Sequence, residues 1–449
     1  MTETKIIALD DDPTGSQTVH GCLLLTRWDV ETLIGALTDS SPLFFVLTNT
    51  RGMDAAQAAA VTREVCANLK QALSELEAKG RPINPLLVSR SDSTLRGHYP
   101  VETDVIATEL GPFDAHFIVP AFIEGGRITR DSIHYVVQDG VETPAHDTEF
   151  ARDSVFAYHH SYLPDYVEEK TRGAIQANQV DRFLLADIRG DVEQRLLALE
   201  DNACCVVDAV EQSDLDRFAG QLLAAAARGK RFLFRSGASI ITSLAQLPPQ
   251  PVAREDMRRY VRGDHAGAVL VGSHVKKTTD QLEQLLREPG TVAVEVDVDR
   301  IDTDRKTLLE ETLRAARLAH AQGDTPVVYT SRGERRFDDQ TTRLAFGERV
   351  SAFLMDVVRG LPETTGYLIS KGGITSNDVL SSGLALRASR VVGQILTGCS
   401  VVRCPDDHPR YPGLPVVIFP GNVGDEHALA EAYRRLAGDA RTPAQQAQA

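Results

Sequence analysis

The sequence predicts an α/β protein made of two domains, each with a mainly parallel sheet. Apolar runs of strand length alternate with helix-length segments along the whole chain. The 449 residues also exceed the about 100–200 residues that one domain usually takes. A proline-rich, charged stretch interrupts the alternation near the middle of the chain. We expect the active site in the cleft between the two domains, where ligands often bind.

Eight apolar runs in the first half of the chain are predicted to be strands. They are rich in Val, Ile, Leu and Phe, a pattern typical of parallel strands that helices cover on both faces. In chain order they are KIIAL, GCLLLT, PLFFVLT, PLLVS, AHFIVP, DRFLLA, CCVVDA and KRFLF. Helices are predicted after several of them, as at DLDRFAGQLLAAAARG. These segments define an N-terminal domain over residues 1–247.

Residues 248–266 are predicted to connect the domains, because Pro248, Pro249 and Pro251 precede a charged stretch without a strand pattern. A second series of strands and helices then predicts a C-terminal domain over residues 267–440. Its strands are AVLVG, TVAVEVDV, PVVYT, YLIS and PVVIFP. The polar residues 441–449 are predicted to form a flexible tail.

Composition excludes several classes of protein. The 48 Lys and Arg residues against 63 Asp and Glu give a net charge of −15, which argues against broad binding to nucleic acids or anionic membranes. The N-terminus lacks a signal-peptide pattern, and apolar runs stay far below the length of a spanning helix, so we expect a cytoplasmic protein. The six cysteines contain no CxxC pair and are predicted to be buried, reduced thiols.

In the first domain, polar loops follow three predicted strands. Residues 10–16 (DDDPTGS) include three adjacent aspartates, which repel one another and need a metal, an arginine or a hydrogen-bonding ligand nearby, unless they only cap the next helix. Residues 49–52 (NTRG) and 90–98 (RSDSTLRGH) add arginines, whose planar fork suits carboxylates and phosphates. Together the loops predict a pocket for a small polyhydroxy acid, with Arg on its carboxylate and Asp on its hydroxyls. Residues 121–127 (AFIEGGR) form another Gly-rich strand exit.

In the second domain, four strand exits carry small or Gly-rich residues. They are Ser273-His274, Ser331-Arg332-Gly333, residues 371–376 (KGGITS) and residues 421–425 (GNVGD). One such loop is an ordinary turn, but four of them indicate backbone donors that hold the phosphates of a nucleotide. The sequence has no Walker A motif, no G-x-G-x-x-G after a strand and no protein-kinase signature.

As a set, these loops resemble the four-carbon acid sugar kinase family, long catalogued as a domain of unknown function. LDDDPTGSQ resembles the family's ADDFTGA, SRSDSTLRGH resembles KVDSTLRGN, and PAFIEGGR resembles a PAFPEAGR-like segment. SKGGITSNDVL and FPGNVGD resemble its nucleotide loops, and the match keeps its order from Asp11 to Gly424. The chain departs from these patterns at four positions: Asp10 for Ala, Pro13 for Phe, Ser91 for Val and His98 for Asn.

The resemblance implies an N-terminal sugar-acid-binding domain and a C-terminal nucleotide-binding domain. It also implies ATP-dependent phosphorylation of the terminal hydroxyl of an acid such as threonate, erythronate or 3-oxo-tetronate. The family's ATP contacts would fall on Ser273, Gly372, Gly373, Ile374, Thr375 and Gly421. Its substrate contacts would fall around Asp11, Asp12, Arg51, Asp92 and Arg96.

We therefore expect a sugar-acid kinase whose partners are the acid, ATP and Mg²⁺, with no nucleic acid or membrane partner. The Mg²⁺ ligands and the oligomeric state are not specified by the sequence, and a homodimer is left open. Asp12 or Asp11 would orient or deprotonate the attacking hydroxyl, and Lys371 would help to neutralise phosphate. Two alternatives stay open here. One is a metal-dependent lyase or isomerase that acts on a sugar acid, and the other is a non-catalytic sensor of a sugar acid and a nucleotide.

Overall fold

The structure is a computed structural model that describes residues 3–273, 275–332 and 340–438. By internal contacts the chain divides into two units, Met1–Pro249 and Gln250–Ala449. His274, Gly333 and the predicted tail at 441–449 lie outside the described residues.

The first unit contains a parallel sheet and a small antiparallel one. Its strands are β1 Glu3–Asp10, β2 Leu23–Leu25, β3 Leu43–Leu47, β4 Ile83–Arg90, β5 Ala115–Val119, β6 Arg127–Arg130, β7 Ile133–Gln138, β8 Val141–Pro144, β9 Asp181–Phe183, β10 Ala203–Val207 and β11 Phe232–Ser236. Eight of them are all parallel, in the order β2-β3-β1-β4-β11-β5-β10-β9. The antiparallel sheet has the order β6-β7-β8.

The helices of the first unit lie between these strands in the chain, except α8, which follows β11. They are α1 Val30–Leu37, α2 Ala55–Ala78, α3 Val101–Leu110, α4 Leu163–Lys170, α5 Leu185–Ile188, α6 Glu193–Ala198, α7 Gln212–Ala227 and α8 Ser239–Leu244. The longest, α2, begins where the Asp54 side chain accepts a hydrogen bond from the Gln57 amide, a capping box that satisfies free N–H groups of the first turn. On β5, the Phe117 ring packs against four other phenylalanine rings at centroid distances of 5.4–5.8 Å, and this apolar burial stabilises the sheet.

The second unit has a mixed sheet. Its strands are β12 Ala268–Val271, β13 Thr291–Val296, β14 Thr325–Thr330, β15 Leu368–Lys371, β16 Ala388–Leu396, β17 Cys399–Arg403 and β18 Pro415–Phe419. The order is β13-β14-β12-β15-β18-β17-β16. The first five strands in this order pair in parallel, whereas β17 pairs antiparallel with both β18 and β16. The helices are α9 Lys276–Leu285, α10 Arg305–Ala321, α11 Gln340–Gly360, α12 Gly373–Asp378 and α13 Ala428–Ala437.

The predicted fold class, two α/β domains with mainly parallel sheets, is confirmed. All thirteen predicted strand segments contain a strand, but DRFLLA is one only over Asp181–Phe183, since α5 begins at Leu185. The β6-β7-β8 sheet and the β16–β17 hairpin were not predicted from the sequence. The six cysteines are free and buried, as predicted.

Part of the predicted connection belongs to the second unit, where Arg254–Tyr260 is a 3₁₀ helix and Met257 is fully buried. The predicted domain boundaries stay predictions, as does the placement of the active site in an interdomain cleft. In the described part of the chain, every helix is too short or too polar to cross a bilayer.

Candidate active site

In the first unit, the polar loops meet where the strand order reverses. Strand β1 lies between β3 and β4, so the loops that follow these three parallel strands leave the sheet at the same edge. Backbone hydrogen bonds join them: the Asp11 amide donates to the Arg90 carbonyl at 3.2 Å, and the Arg51 amide donates to the Asp11 carbonyl at 3.1 Å. Such a reversal is the usual ligand site of an open α/β sheet.

Arg51 lies at the centre of this edge. Its Nε donates to Asp11 Oδ2 at 3.1 Å and its Nη2 donates to Asp11 Oδ1. Its Nη1 is 3.5 Å from Asp12 Oδ2 and 3.9 Å from Asp92 Oδ1. Arg96 extends the network, since its Nε donates to Asp92 Oδ2 at 2.7 Å. The five residues predicted to contact the substrate are thus joined by ion pairs, and Arg51 supplies the positive charge that the aspartates require.

The three consecutive aspartates differ in exposure. The Asp11 side chain is 1 % exposed, whereas that of Asp12 is 23 % exposed. Asp12 Oδ1 accepts hydrogen bonds from the Thr14 amide at 2.9 Å and the Thr14 hydroxyl at 2.5 Å, which orients the carboxylate. Asp12 is therefore the carboxylate of this run that a ligand can reach.

Asp10, by contrast, is completely buried. Neither carboxylate oxygen has a hydrogen-bond partner among the described residues. Burial raises the pKa of Asp10 well above its ordinary value, and the Arg90 guanidinium opposes this effect. Gly15 covers the group, since a methyl group built on Gly15 would lie 2.0 Å from Asp10 Oδ1. Only glycine therefore fits at this point of the loop.

Asp92 and Arg96 form a second ion pair in the same network. Burial raises the pKa of Asp92, but the charges of Arg51 and Arg96 outweigh burial and hold that pKa well below its usual range. Arg96 Nη1 is also 3.5 Å from Asp153 Oδ2, and its guanidinium lies 5.1 Å from the centre of the Phe150 ring. Both arginines are thus already paired with carboxylates, and their predicted contact with a substrate carboxylate stays a prediction.

Two residues of this network were not among the predicted contacts. The Ser91 hydroxyl donates to Asp11 Oδ2 at 3.0 Å. Glu102, on α3, is buried and accepts hydrogen bonds from the hydroxyls of Thr50 at 2.5 Å and Ser89 at 3.3 Å. Burial, assisted by the charge of Asp11, raises the pKa of Glu102 to about 7. Ser91 stood out as a departure from the family pattern, whereas no local sequence signal distinguished Glu102 from an ordinary acidic residue in the first turn of a helix.

The second unit repeats this arrangement with its own loops. Strand β12 lies between β14 and β15, so the residues after these strands again share one edge. A methyl group built on Gly372 would lie 3.4 Å from Ser273 Cβ and 3.1 Å from Thr375 Oγ1, and one built on Gly421 would lie 4.0 Å from Ser273 Oγ. The structure therefore places Ser273, Gly372, Thr375 and Gly421 around one small space.

The backbone of this space suits an anion. Gly372 has a φ of 121°, which a residue with a side chain rarely adopts. Helix α12 begins at Gly373, and its N-cap residue, Gly372, has no side chain that could accept a hydrogen bond, so the first N–H groups of the helix lack partners within it. The Ile374 side chain is 73 % exposed beside them. These donors fit the phosphates of a nucleotide.

Lys371, predicted to neutralise phosphate, is fully buried under the loop after β18. Its Nζ donates to the carbonyls of Pro420 at 2.6 Å and Gly421 at 3.2 Å, and lies 4.3 Å from the centre of the Phe419 ring. Burial lowers the pKa of Lys371 to about 7. The ammonium group thus supports the loop that contains Gly421, and a direct contact with phosphate stays a prediction. Among the described residues, no group of three or more His, Cys, Asp and Glu is arranged to hold a metal ion.

Two family models match the chain, one in each unit. Residues 6–244 match a family model described as a sugar-binding N-terminal domain, and residues 268–429 match one described as a nucleotide-binding C-terminal domain. The chain belongs to the four-carbon acid sugar kinase family. The resemblance predicted from the loop motifs is therefore confirmed.

Two curated proteins are similar to this member of the four-carbon acid sugar kinase family. The D-threonate kinase of Bordetella bronchiseptica is 24% identical over 441 residues, which cover 95% of this chain and 96% of that protein. The D-erythronate kinase of Heliobacterium modesticaldum is 25% identical over 316 residues, which cover 68% of this chain and 62% of that protein. Both are named as kinases of sugar acids.

A solved structure shares the fold of this family member. A Haemophilus influenzae protein of the family DUF1537 superimposes with a TM-score of 0.65 at 17% identity, over 96% of this chain and 100% of that one. At this identity the likeness supports the fold alone.

Proposed function

We propose that the protein is an ATP-dependent kinase that phosphorylates the terminal hydroxyl of a four-carbon sugar acid. The observation that carries the proposal is the Arg51 network, in which Asp11, Asp12 and Asp92 are gathered around one arginine at the strand exits of the domain that matches the sugar-binding model. The similarity to kinases of D-threonate and D-erythronate supports the same conclusion.

In this proposal, Asp12 acts on the attacking hydroxyl. Its Oδ1 is held by Thr14, which leaves Oδ2 to accept a hydrogen bond from the substrate. Asp11 is a weaker candidate for the base, because both of its oxygens already accept hydrogen bonds from Arg51 and its Oδ2 accepts one from Ser91 as well. Asp11 instead positions Arg51, and the guanidiniums of Arg51 and Arg96 attract the carboxylate of the acid.

ATP would bind the second unit, with its phosphates on Ser273, beside Gly372, on the N–H groups of residues 373–375 and at Gly421. The Gly372 amide itself donates to the Phe419 carbonyl at 2.8 Å. Mg²⁺ would arrive bound to the ATP phosphates as part of the substrate. Phosphoryl transfer depends mainly on in-line positioning and on neutralising charge. Holding both reactants in place can lower the barrier by about 7–11 kcal/mol. Lys371 contributes to nucleotide binding by holding the loop that contains Gly421, whose carbonyl accepts a hydrogen bond from Lys371 Nζ.

The test is a screen for ADP release. Purified full-length protein is incubated with Mg-ATP and each of the threonates, erythronates and their oxidised forms. We expect ADP release that depends on one of these acids, together with a phosphorylated product seen by mass spectrometry. A protein that turns over none of the acids, and whose Gly372→Ala variant binds nucleotide like the parent, is not the proposed kinase.

A further inference from the structure

Arg332 lies in the loop after β14, at the edge where the nucleotide loops meet. Strands β12 and β14 are paired in parallel, with Val271 opposite Tyr329, so the residues after them lie at neighbouring positions. Arg332 Nη1 donates to the carbonyl of Ser273 at 2.5 Å. The guanidinium is therefore anchored on one of the residues predicted to contact ATP.

Two nitrogens of this guanidinium are buried without a hydrogen-bond partner in the described part of the chain, and the group lies 5.8 Å from the centre of the Tyr329 ring. Among the described residues, none accepts a hydrogen bond from Arg332 Nε or Nη2, although both atoms are shielded from solvent. Other arginines of the same unit are paired with carboxylates: Arg300 with Glu311 at 2.8 Å, Arg305 with Asp356 at 2.5 Å and Arg349 with Asp302 at 2.7 Å. Buried N–H groups that lack an acceptor cost free energy, so a ligand that supplies acceptors would be favoured here.

The chemistry of the edge selects the ligand. Two cationic side chains belong to this edge of the sheet: Arg332 and the buried Lys371, whose Nζ donates to backbone carbonyls. The loops around Ser273 and Gly372 offer N–H donors and small side chains, which suit phosphate oxygens. A guanidinium with two adjacent free donors matches two oxygens of a polyphosphate.

We propose that Arg332 binds the polyphosphate chain of the nucleotide through Nε and Nη2, in addition to the contacts predicted for Ser273, residues 372–375 and Gly421. The inference rests on the proposed function, since it assumes that the second unit binds a nucleotide. Arg332 would act as a binding residue, with Nη1 holding the guanidinium in place on the Ser273 carbonyl.

The experiment is calorimetric titration of the full-length protein with adenosine, AMP, ADP, ATP and inorganic tripolyphosphate. The variant is Arg332→Gln, and Arg349→Gln is the matched control, because it removes the same charge from an exposed ion pair of the same unit. We expect Arg332→Gln to weaken ADP, ATP and tripolyphosphate by about 10- to 100-fold and to leave adenosine unchanged. Arg349→Gln should bind all five ligands like the parent.

A second variant, Arg332→Lys, keeps the charge without the fork. This variant should lose part of the affinity for ADP and ATP and none of the affinity for adenosine. If Arg332→Gln does not fold, the comparison of Arg332→Lys with the parent tests the inference. Equal affinity of the parent and both variants for every phosphate ligand overturns the inference, as does an equal loss for adenosine. If the parent binds tripolyphosphate but no adenine nucleotide, the proposed function fails, and the loss of tripolyphosphate binding in Arg332→Gln still supports the role of Arg332. A parent that binds none of the phosphates overturns both.

Discussion

Arg51 holds the Asp11 carboxylate with two guanidinium nitrogens, and the same guanidinium lies within 4 Å of Asp12 and Asp92. Asp11 is 1 % exposed, so this pair lies largely out of water. The relationship gives Arg51 a structural role, because its charge compensates the negative charge that the loop after β1 concentrates at one point. Two residues of this network, Arg51 and Asp12, and two buried groups, Glu102 of the first unit and Lys371 of the second, each lead to a testable prediction.

Replacing Arg51 by glutamine should destabilise the protein. The change leaves the buried Asp11 carboxylate without its positive partner, which typically costs about 3–5 kcal/mol. Urea denaturation followed by circular dichroism measures the loss. Arg130→Gln is the control, because Arg130 pairs with Glu142 by two hydrogen bonds of 2.9 Å on the exposed surface and should cost no more than about 1 kcal/mol. Equal losses in the two variants would contradict the central place of Arg51.

Replacing Asp12 by asparagine should lower kcat by about 10²- to 10⁴-fold and change KM little, because the amide keeps the shape of the carboxylate but cannot take up a proton. Steady-state kinetics on the acid found in the screen provide the measurement. Asp139→Asn, in an exposed turn outside the network, serves as the control and should keep the parental kcat. An unchanged kcat in Asp12→Asn removes Asp12 from the role of base.

Nucleotide affinity should fall as pH rises through about 7, the pKa to which burial lowers Lys371. Below this pH the ammonium is charged and favours a bound polyphosphate; above it the neutral amine does not. Stability should change in the opposite direction. Between about 7 and the ordinary value of 10.5 the unfolded chain binds the proton that the folded chain has lost, so the contribution of this group to stability rises with pH.

Titrations of ATP at pH 6, 7 and 8.5 test this prediction. Lys371→Met keeps a long apolar side chain and should bind ATP more weakly at pH 6, with a flatter dependence on pH. A parental pH profile that survives in Lys371→Met would show that another group titrates.

Replacing Glu102 by glutamine should change how stability depends on pH. The raised pKa of about 7 means that the folded chain keeps a proton which the unfolded chain releases near 4.5, so this group makes the parent less stable as pH rises through that window. Glutamine retains an oxygen that can accept the hydrogen bond from the Thr50 hydroxyl, and its side chain has no charge to bury. We expect the variant to equal the parent near pH 4.5 and to exceed it by about 1–3 kcal/mol at pH 8.

Urea denaturation at four pH values between 4.5 and 8 measures this difference. Glu75→Gln is the control, because the Glu75 side chain on α2 is 41 % exposed, and the variant should follow the parent throughout. A constant difference between Glu102→Gln and the parent across the range would mean that Glu102 does not titrate there.

Local patterns were sufficient to predict most strands, because buried parallel strands are short, apolar and followed by polar loops. They were insufficient for the β6-β7-β8 sheet. Its strands are partly exposed and mixed in character, as in RITR and VETP, and the longest apolar run among them is the three residues YVV of β7. The β16–β17 hairpin was not predicted although its strands are largely buried, and its register shifts between Val391 and Gly393 and between Gln394 and Leu396.

The sequence by itself determined which loops hold the candidate site residues, because Asp, Arg and Gly clusters stand directly after predicted strands and their motifs are local. Only the tertiary structure decided how these residues are paired. Asp11 and Arg51 are forty positions apart, and they meet because β1 lies beside β3 in the sheet. Lys371 donates to the Gly421 carbonyl, and Arg332 donates to the Ser273 carbonyl, because strand order determines which loops are neighbours. Burial then determines which charged groups need partners in those loops.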